Sequence, residues 1–244
     1  MRVVQLWRFP VKSMPGESVD QVDVDERGIV GDRRLALRDR STGLVLTARR
    51  VPELLQAATL PSRSDDELSA WLGRPVELID ANAELRGTYE NPRDAFGETD
   101  WVSWQGPLGT FHDSGRSQVS LVSMATLRDW DVRRFRINII VDSVDSVDSV
   151  DSVDSVDSVD GVDGLDESED ALVGRRLRIG GVELDVAKQI DRCVMVTRPQ
   201  VGGVERDLGV LRTINAERAG NLGIGCGVVR TGRIAVGDEV QVMQ

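Results

Sequence analysis

Four short stretches concentrate the residues whose types and spacing could do chemistry. FPVKS, Phe9 to Ser13, places a lysine and a hydroxyl directly after a strand-like run, where the plain alternative is a solvated strand end. GDRR, Gly31 to Arg34, puts Asp32 and Arg33 at the start of another strand, with a surface ion pair as the simpler reading. In RRFRINIIVD, Arg133 to Asp142, Arg136 and Asn138 are two residues apart and so share one face of a strand. A guanidinium and an amide on one face suit an anion or the polar edge of an amide-like ring. DRCVMVTR, Asp191 to Arg198, sets Cys193 beside Arg192. An exposed thiol next to a cation favours the thiolate, although a lone cysteine in a β-rich core is commonly a small buried hydrophobe.

Histidine sets a sharper limit. His112 is the one histidine, which excludes multi-histidine zinc sites and obliges any Ser-His-Asp scheme to use that residue. It sits in TFHDSG, a Gly/Ser-rich loop, where a polar loop role is expected rather than catalysis. Cys226, in the apolar run LGIGCGVV, reads as inert packing. Any chemistry therefore rests on cysteine, lysine, arginine, carboxylates or a bound cofactor.

These residues need elements to position them. RVVQLWRF, SVDQVDVD, RRLALRD and GLVLTAR are short, rich in β-branched or aliphatic residues, and separated by ERGIVGD and DRSTG. Such spacing predicts a small antiparallel barrel or sandwich. SDDELSAWLG predicts a helix: Ser64 caps it, acids fill its first turn, Leu68, Trp71 and Leu72 share a face, and Gly73 ends it. Residues 82–110 are polar and punctuated by Gly and Pro, which predicts long loops joining two halves. SQVSLVS then predicts a strand, MATLRDWDVRRF a helix capped by Ser123, and INIIVD a strand. Beyond the repeat, LVGRRLRIGGVELDVAKQIDRCVMVTR alternates as two or three strands. RDLGVLRTINAERAG predicts a helix with Leu208, Leu211 and Ile214 inward, and the chain closes in strands around a Gly-Asp turn. The expected fold class is mostly β with a few short α-helices.

The formal net charge of −11 belongs to one segment. Residues 142–170 hold ten Asp, two Glu and no Lys or Arg, and removing them leaves 29 acidic against 30 basic residues. The acidity thus says nothing about partners of the folded body, and no basic patch of the nucleic-acid type stands out. The tripeptide S-V-D repeats from Asp142 to Asp160. A calcium loop needs glycine-allowed turns that converge six to eight oxygens, whereas this repeat spaces its carboxylates by roughly 9–10 Å in an extended chain. It reads as a self-repelling, solvated low-complexity loop, an insertion whose closure costs little. Two cysteines are too few for a disulfide framework, and no apolar run of membrane-spanning length occurs. Pro10 and Lys12 interrupt what would be the apolar stretch of a signal peptide, so a cytoplasmic, reduced protein is expected.

Taken in order, FPVKS, GDR, TAR, RRFRIN, DRCVMVT and the closing Gly-Asp-x-Val resemble the MOSC family, the molybdenum cofactor sulfurase C-terminal domain proteins. The resemblance covers nearly the whole chain outside 142–166. It is a resemblance in type to the mitochondrial amidoxime-reducing component. It implies an N-terminal β-barrel-like domain over 1–100, packed on a MOSC β-barrel over 101–244 that carries the acidic insertion at 142–166. It also implies a molybdenum cofactor of the molybdopterin type, held between the two β-rich parts and ligated by the Cys193 thiolate. Soft thiolate sulfur suits a redox metal whose other ligands are dithiolene sulfurs and oxo groups. Lys12, Ser13, Arg33 and Arg136 would hold the cofactor's phosphate, and Asn138 would hydrogen-bond the cofactor. Ser117 matches a serine-bearing loop near it, and Arg49 in TARR extends the set. The family's proline in FRPN is Ile137 here, which keeps both polar neighbours and loses a rigid turn.

The activity implied is reduction of small N-hydroxylated, or other N–O and S–O, substrates at Cys193-bound molybdenum. Nothing in the chain reads as a flavin or iron–sulfur site, so electrons would come from a separate reductase. At the level of the family the resemblance also brings pyridoxal phosphate binding. The alternative is a carrier of sulfur or of the cofactor, in which Cys193 holds a persulfide without turnover of its own.

Overall fold

The computed structural model describes residues 1–57, 64–82, 84–93, 99–143 and 168–243. The S-V-D repeat beyond Ser143, with its reading as a solvated loop, lies outside the described residues. In chain order the elements begin with β1 (Arg2–Arg8), β2 (Glu17–Val19), β3 (Gln21–Asp25), β4 (Gly28–Ile29), β5 (Leu35–Asp39), α1 (Asp65–Leu72), β6 (Val76–Asp80) and β7 (Arg86–Pro92). They continue with β8 (Trp101–Leu108), β9 (Val119–Ser123), α2 (Met124–Leu127), β10 (Ile139–Asp142), β11 (Arg176–Ile179) and β12 (Val182–Asp191). Then come α3 (Leu208–Arg218), β13 (Asn221–Arg230), β14 (Gly232–Ala235) and β15 (Val240–Met243). Strands dominate and the helices are short, as expected.

One eight-stranded sheet runs β15-β11-β12-β13-β9-β10-β1-β2. Its pairings are antiparallel except β9 with β10, which are parallel because α2 and a 3-10 turn carry the chain back between them. The sheet curls on itself: Val3 N donates to Asp238 O at 2.9 Å and Val240 N to Met1 O at 2.9 Å, joining the β15 side to the start of β1. Inside it Leu6, Leu121, Ile139, Leu177, Leu184 and Ile224 are fully buried. Each such side chain contributes roughly 1.5–3 kcal/mol of burial. β3 and β14 pair across one opening and add Val22, Val24 and Ile234.

A second core lies between the β5–β6 pair, α1 and the 3-10 turn Pro52–Gln56, filled by Leu37, Leu54, Leu55, Leu68 and Val76. Ser64 caps α1 with a full capping box to Glu67, and Gly73 ends it at φ 64°, as the sequence predicts. α3 lies against the outside of the large sheet through Val210, Leu211 and Ile214, which meet Phe135, Ile137 and Leu222.

Five local expectations are corrected. Residues 86–92 and 101–108 are not loops but the paired strands β7 and β8, where Tyr89 stacks on Trp104 at 4.9 Å and is fully buried. GLVLTAR makes a single bridge, Val45 to Arg38, and then turns as Thr47 O accepts from Arg50 N and Val51 N. The helix from Met124 stops after one turn because Arg128 enters a positive-φ conformation. Leu208 is exposed, and Val210 takes its place in the buried face of α3. Arg136 and Asn138 precede β10, with Arg136 in a left-handed turn and not on a strand face.

Candidate functional site

A cavity of about 430 Å³ opens where several segments far apart in sequence converge. Among them are Lys12–Ser13 after β1, Arg33 before β5, Thr47–Arg49, the loop His112–Ser117 after β8, the turn Arg134–Asn138 before β10, and the run from the end of β12 through Cys193. Seven cationic side chains line it against the carboxylates Asp113 and Asp191, so its potential favours an anionic guest.

Asp32 organises the entrance loop. Its Oδ1 accepts from Phe9 N at 2.6 Å, and its Oδ2 pairs with Arg33 Nη1. The pair is buried, with side chains 0% and 12% exposed, where the sequence suggested a surface ion pair. Arg33 Nη2 reaches across to Arg136 O at 2.9 Å. Arg136 in turn donates to the carbonyls of Met14 and Val11, on either side of Lys12–Ser13, and lies 4.5 Å from the Phe9 ring centroid. Burial, with Arg33 next, pulls the Arg136 pKa down to about 9, and among the described residues its guanidinium bonds carbonyls and no carboxylate. Ser13, Arg33 and Arg136 all hold positive φ, at 64°, 48° and 53°. Non-glycine residues in this region cost about 1 kcal/mol each, and here the hydrogen-bond mesh over-determines them.

Lys12 is buried and donates through Nζ to Phe111 O at 2.9 Å and to Asp113 Oδ1 at 2.6 Å, with the Tyr89 ring centroid 4.8 Å away. Burial lowers its pKa and Asp113 opposes that shift. Crowding by protein atoms works to raise the Asp113 pKa, yet Lys12, Arg33 and Arg136 together hold it well below the usual carboxylate range. The Asp113 side chain is itself 81% exposed because it faces open space. His112 beside it is 3% exposed, and burial followed by the Arg33 charge pulls its pKa down to about 4.

Cys193 is half-buried and begins the 3-10 turn Val194–Thr197. Arg192 fixes its approach: Nε and Nη2 bond Leu222 O at 2.8 and 2.6 Å, and Nη1 bonds Phe135 O at 2.8 Å. Asn138 is committed to the scaffold. Its Oδ1 accepts from Ser120 N at 3.1 Å and Ser120 Oγ at 2.8 Å, and Nδ2 donates to Trp7 O at 3.2 Å. Ser117 packs on β13 only because residue 225 is glycine; a Cβ there would lie 2.2 Å from Ser117 Oγ. Cys226 is fully buried in the barrel core, with burial pushing its thiol to about 12, which fits inert packing.

All eight residues singled out in the sequence, Lys12, Ser13, Arg33, Arg49, Ser117, Arg136, Asn138 and Cys193, line this cavity. They divide into builders and open groups. Lys12, Arg33, Arg136 and Asn138 are hydrogen-bonded to the protein, whereas the Arg49 guanidinium and the Ser13 and Ser117 hydroxyls make no side-chain hydrogen bond among the described residues. Sequence reasoning missed His112, Asp113 and Trp104 as cavity residues. The signal available was slight, a histidine–aspartate pair after an aromatic residue, because its meeting with Lys12 spans 101 positions.

Comparison with known proteins identifies two family domains in the chain. Residues 1–84 match the MOSC N-terminal beta barrel domain, and residues 158–241 match the MOSC domain. No curated protein matches the chain. Among solved structures, the YUAD protein from Bacillus subtilis aligns at 15% identity over 99% of this chain and 94% of that one, with a TM-score of 0.43. No helix among the described residues is long and apolar enough to cross a membrane. Two family domains in tandem, together spanning more than half the residues, place the chain in the MOSC family, which is associated with molybdenum cofactor binding.

Proposed function

We propose that the chain binds a molybdopterin-type cofactor in this cavity and, as a molybdenum-dependent oxidoreductase, reduces small N-hydroxylated or other N–O and S–O substrates. The observation that carries the reading is the gathering of Cys193, open hydroxyls and a surplus of cations around one cavity from segments far apart in sequence. The residues present fit such a group. Among the described residues no three of His, Cys, Asp or Glu converge on a metal position, so Cys193 would act as a single thiolate beside ligands that the cofactor brings. Ser13, Ser117 and Arg49 offer unspent donors, and Lys12, Arg33 and Arg136 supply charge from positions their hydrogen bonds make rigid.

When bound, the cofactor would supply oxygen-atom abstraction, two electrons and two protons converting the N–O or S–O substrate to its reduced form and one water. This chain's residues hold and orient. Arg192 fixes the backbone ahead of Cys193, the Arg33–Arg136 mesh keeps the phosphate end in register, and Trp104 and Met195 give the cavity an apolar flank for an organic substrate. The electron pair comes from a separate reductase.

Protein purified from a host that makes the cofactor, assayed for metal beside Cys193→Ala, tests this reading. Stoichiometric molybdenum lost in the variant, with N-hydroxylated substrates turned over by a supplied electron donor, is expected. No molybdenum in either folded protein overturns it; transferable sulfane sulfur on Cys193 would then favour the carrier role.

A further inference from the structure

His112 has no place in the assignments above, although it lines the cavity and is 3% exposed. Its backbone N–H bonds Thr110 Oγ1, and its ring nitrogens have no hydrogen-bond partner among the described residues. Neither ring nitrogen is among the sealed, unpartnered side-chain atoms of the interior, which are Tyr89 Oη, Glu169 Oε1 and Asp170 Oδ1. The little surface that His112 keeps therefore opens toward the cavity. A buried imidazole without a partner costs free energy unless a guest completes it.

The surroundings specify that guest. The neighbours of His112 in sequence are pinned to the cationic wall: Phe111 N donates to Arg33 O at 3.1 Å, while Phe111 O and Asp113 Oδ1 both accept from Lys12 Nζ. The ring is thus held beside Lys12 and Arg33, with Arg136 bonded behind Arg33. Asp32 and Asp113 offset two of these three cations, which leaves a positive site beside a ring that burial keeps uncharged. An uncharged imidazole offers one directional N–H and adds no further repulsion to the crowded guanidinium groups.

We propose that His112 is a ligand-binding residue of this cavity, donating a ring N–H to an oxygen of a phosphate group that the positive charge of Lys12, Arg33 and Arg136 attracts. The proposal rests on the reading of the cavity as the ligand site, and not on molybdenum being its cargo. The phosphate belongs to the bound cofactor or to a separate phosphorylated ligand.

Because His112 is the one histidine, a chain labelled with ¹⁵N-histidine reports a single imidazole. Full-length protein from a host unable to make the cofactor is titrated with inorganic phosphate, and the ring ¹⁵N resonances are followed. A saturable shift of one ring nitrogen is expected, with affinity weakened about ten-fold or more in His112→Phe and less in His112→Gln, which keeps an N–H donor. Protein from a cofactor-producing host separates the sources. Resonances already shifted and deaf to phosphate assign the cofactor's phosphate, and resonances that still respond assign a separate phosphorylated ligand. Ring resonances unmoved in both preparations, or His112→Phe binding phosphate as tightly as the parent, overturn the proposal. Absence of molybdenum defeats the cofactor reading alone, since the phosphate titration stands without it.

Discussion

Arg33 donates through Nη2 to the carbonyl of Arg136 at 2.9 Å, and both residues hold a left-handed backbone, at φ 48° and 53°. Two like charges that burial should drive apart are tied through backbone oxygen instead. Arg136 then spends its own guanidinium on the carbonyls of Met14 and Val11, so the loop carrying Lys12 and Ser13 is clamped from one side by Arg136 and from the other by Asp32. The cavity wall is a closed mesh in which each cation also shapes the backbone of the next.

Arg136→Lys tests that mesh, because the charge survives and the fork does not. A shorter side chain ending in a single nitrogen replaces the two-pronged fork set between Met14 O and Val11 O, and losing one or both bonds should destabilise the chain by about 1–2 kcal/mol. Urea unfolding of the variant beside the parent checks this, and equal midpoints would show that the clamp contributes nothing.

The two thiols should behave differently. Cys226 is 0% exposed with its pKa pushed to about 12, while Cys193 is half-buried at the cavity. Titration of the native chain with an aromatic disulfide reagent should therefore show a single reactive thiol, and the other only after denaturation. Cys193→Ser should abolish the native reaction; reaction persisting in that variant would place Cys226 within reach of solvent.

His112 makes stability depend on pH in a definite direction. Its pKa falls from 6.5 to about 4 in the folded chain, so folding excludes the protonated ring. Its contribution is whole above pH 6.5 and is lost as pH falls toward 4, a change of roughly 3 kcal/mol. Unfolding free energies measured at pH 7.5 and 4.5 should drop more steeply for the parent than for His112→Gln. Equal drops would mean that the ring titrates freely.

Glu169 holds together the start of α2 and the strand before it. It is fully buried; its Oε2 accepts from Ser123 N at 3.1 Å, Ser123 Oγ at 2.7 Å and Thr126 Oγ1 at 2.8 Å, and Arg218 Nη2 lies 3.5 Å from Oε1. Glu169→Ala leaves the Ser123 and Thr126 donors without their acceptor, while Arg218 keeps Asp170, at a cost of roughly 3–5 kcal/mol. Thermal unfolding checks this, with Glu169→Gln expected to lie between the variant and the parent.

Much of this molecule is local and therefore visible along the chain. Alternation in RLRI and VELDV needs only a barrel interior to explain it, and the Ser64 box with Gly73 is a helix written out by its own caps. The choice of Lys12, Ser13, Arg33, Arg49, Ser117, Arg136, Asn138 and Cys193 came from motif order, and the cavity does bring them together. The β7–β8 pair escaped because its inward positions alternate glycine with aromatic residues, so polarity masked a period of two. What the tertiary structure alone decided is which of those residues are free. Asn138 is consumed by Ser120 and Trp7, Arg136 by a loop more than 120 positions away, while among the described residues the Arg49 guanidinium stays open and the His112 ring is buried without a hydrogen-bond partner. Residue type states what a side chain can bond, but only the neighbours that folding delivers determine whether that capacity is already spent.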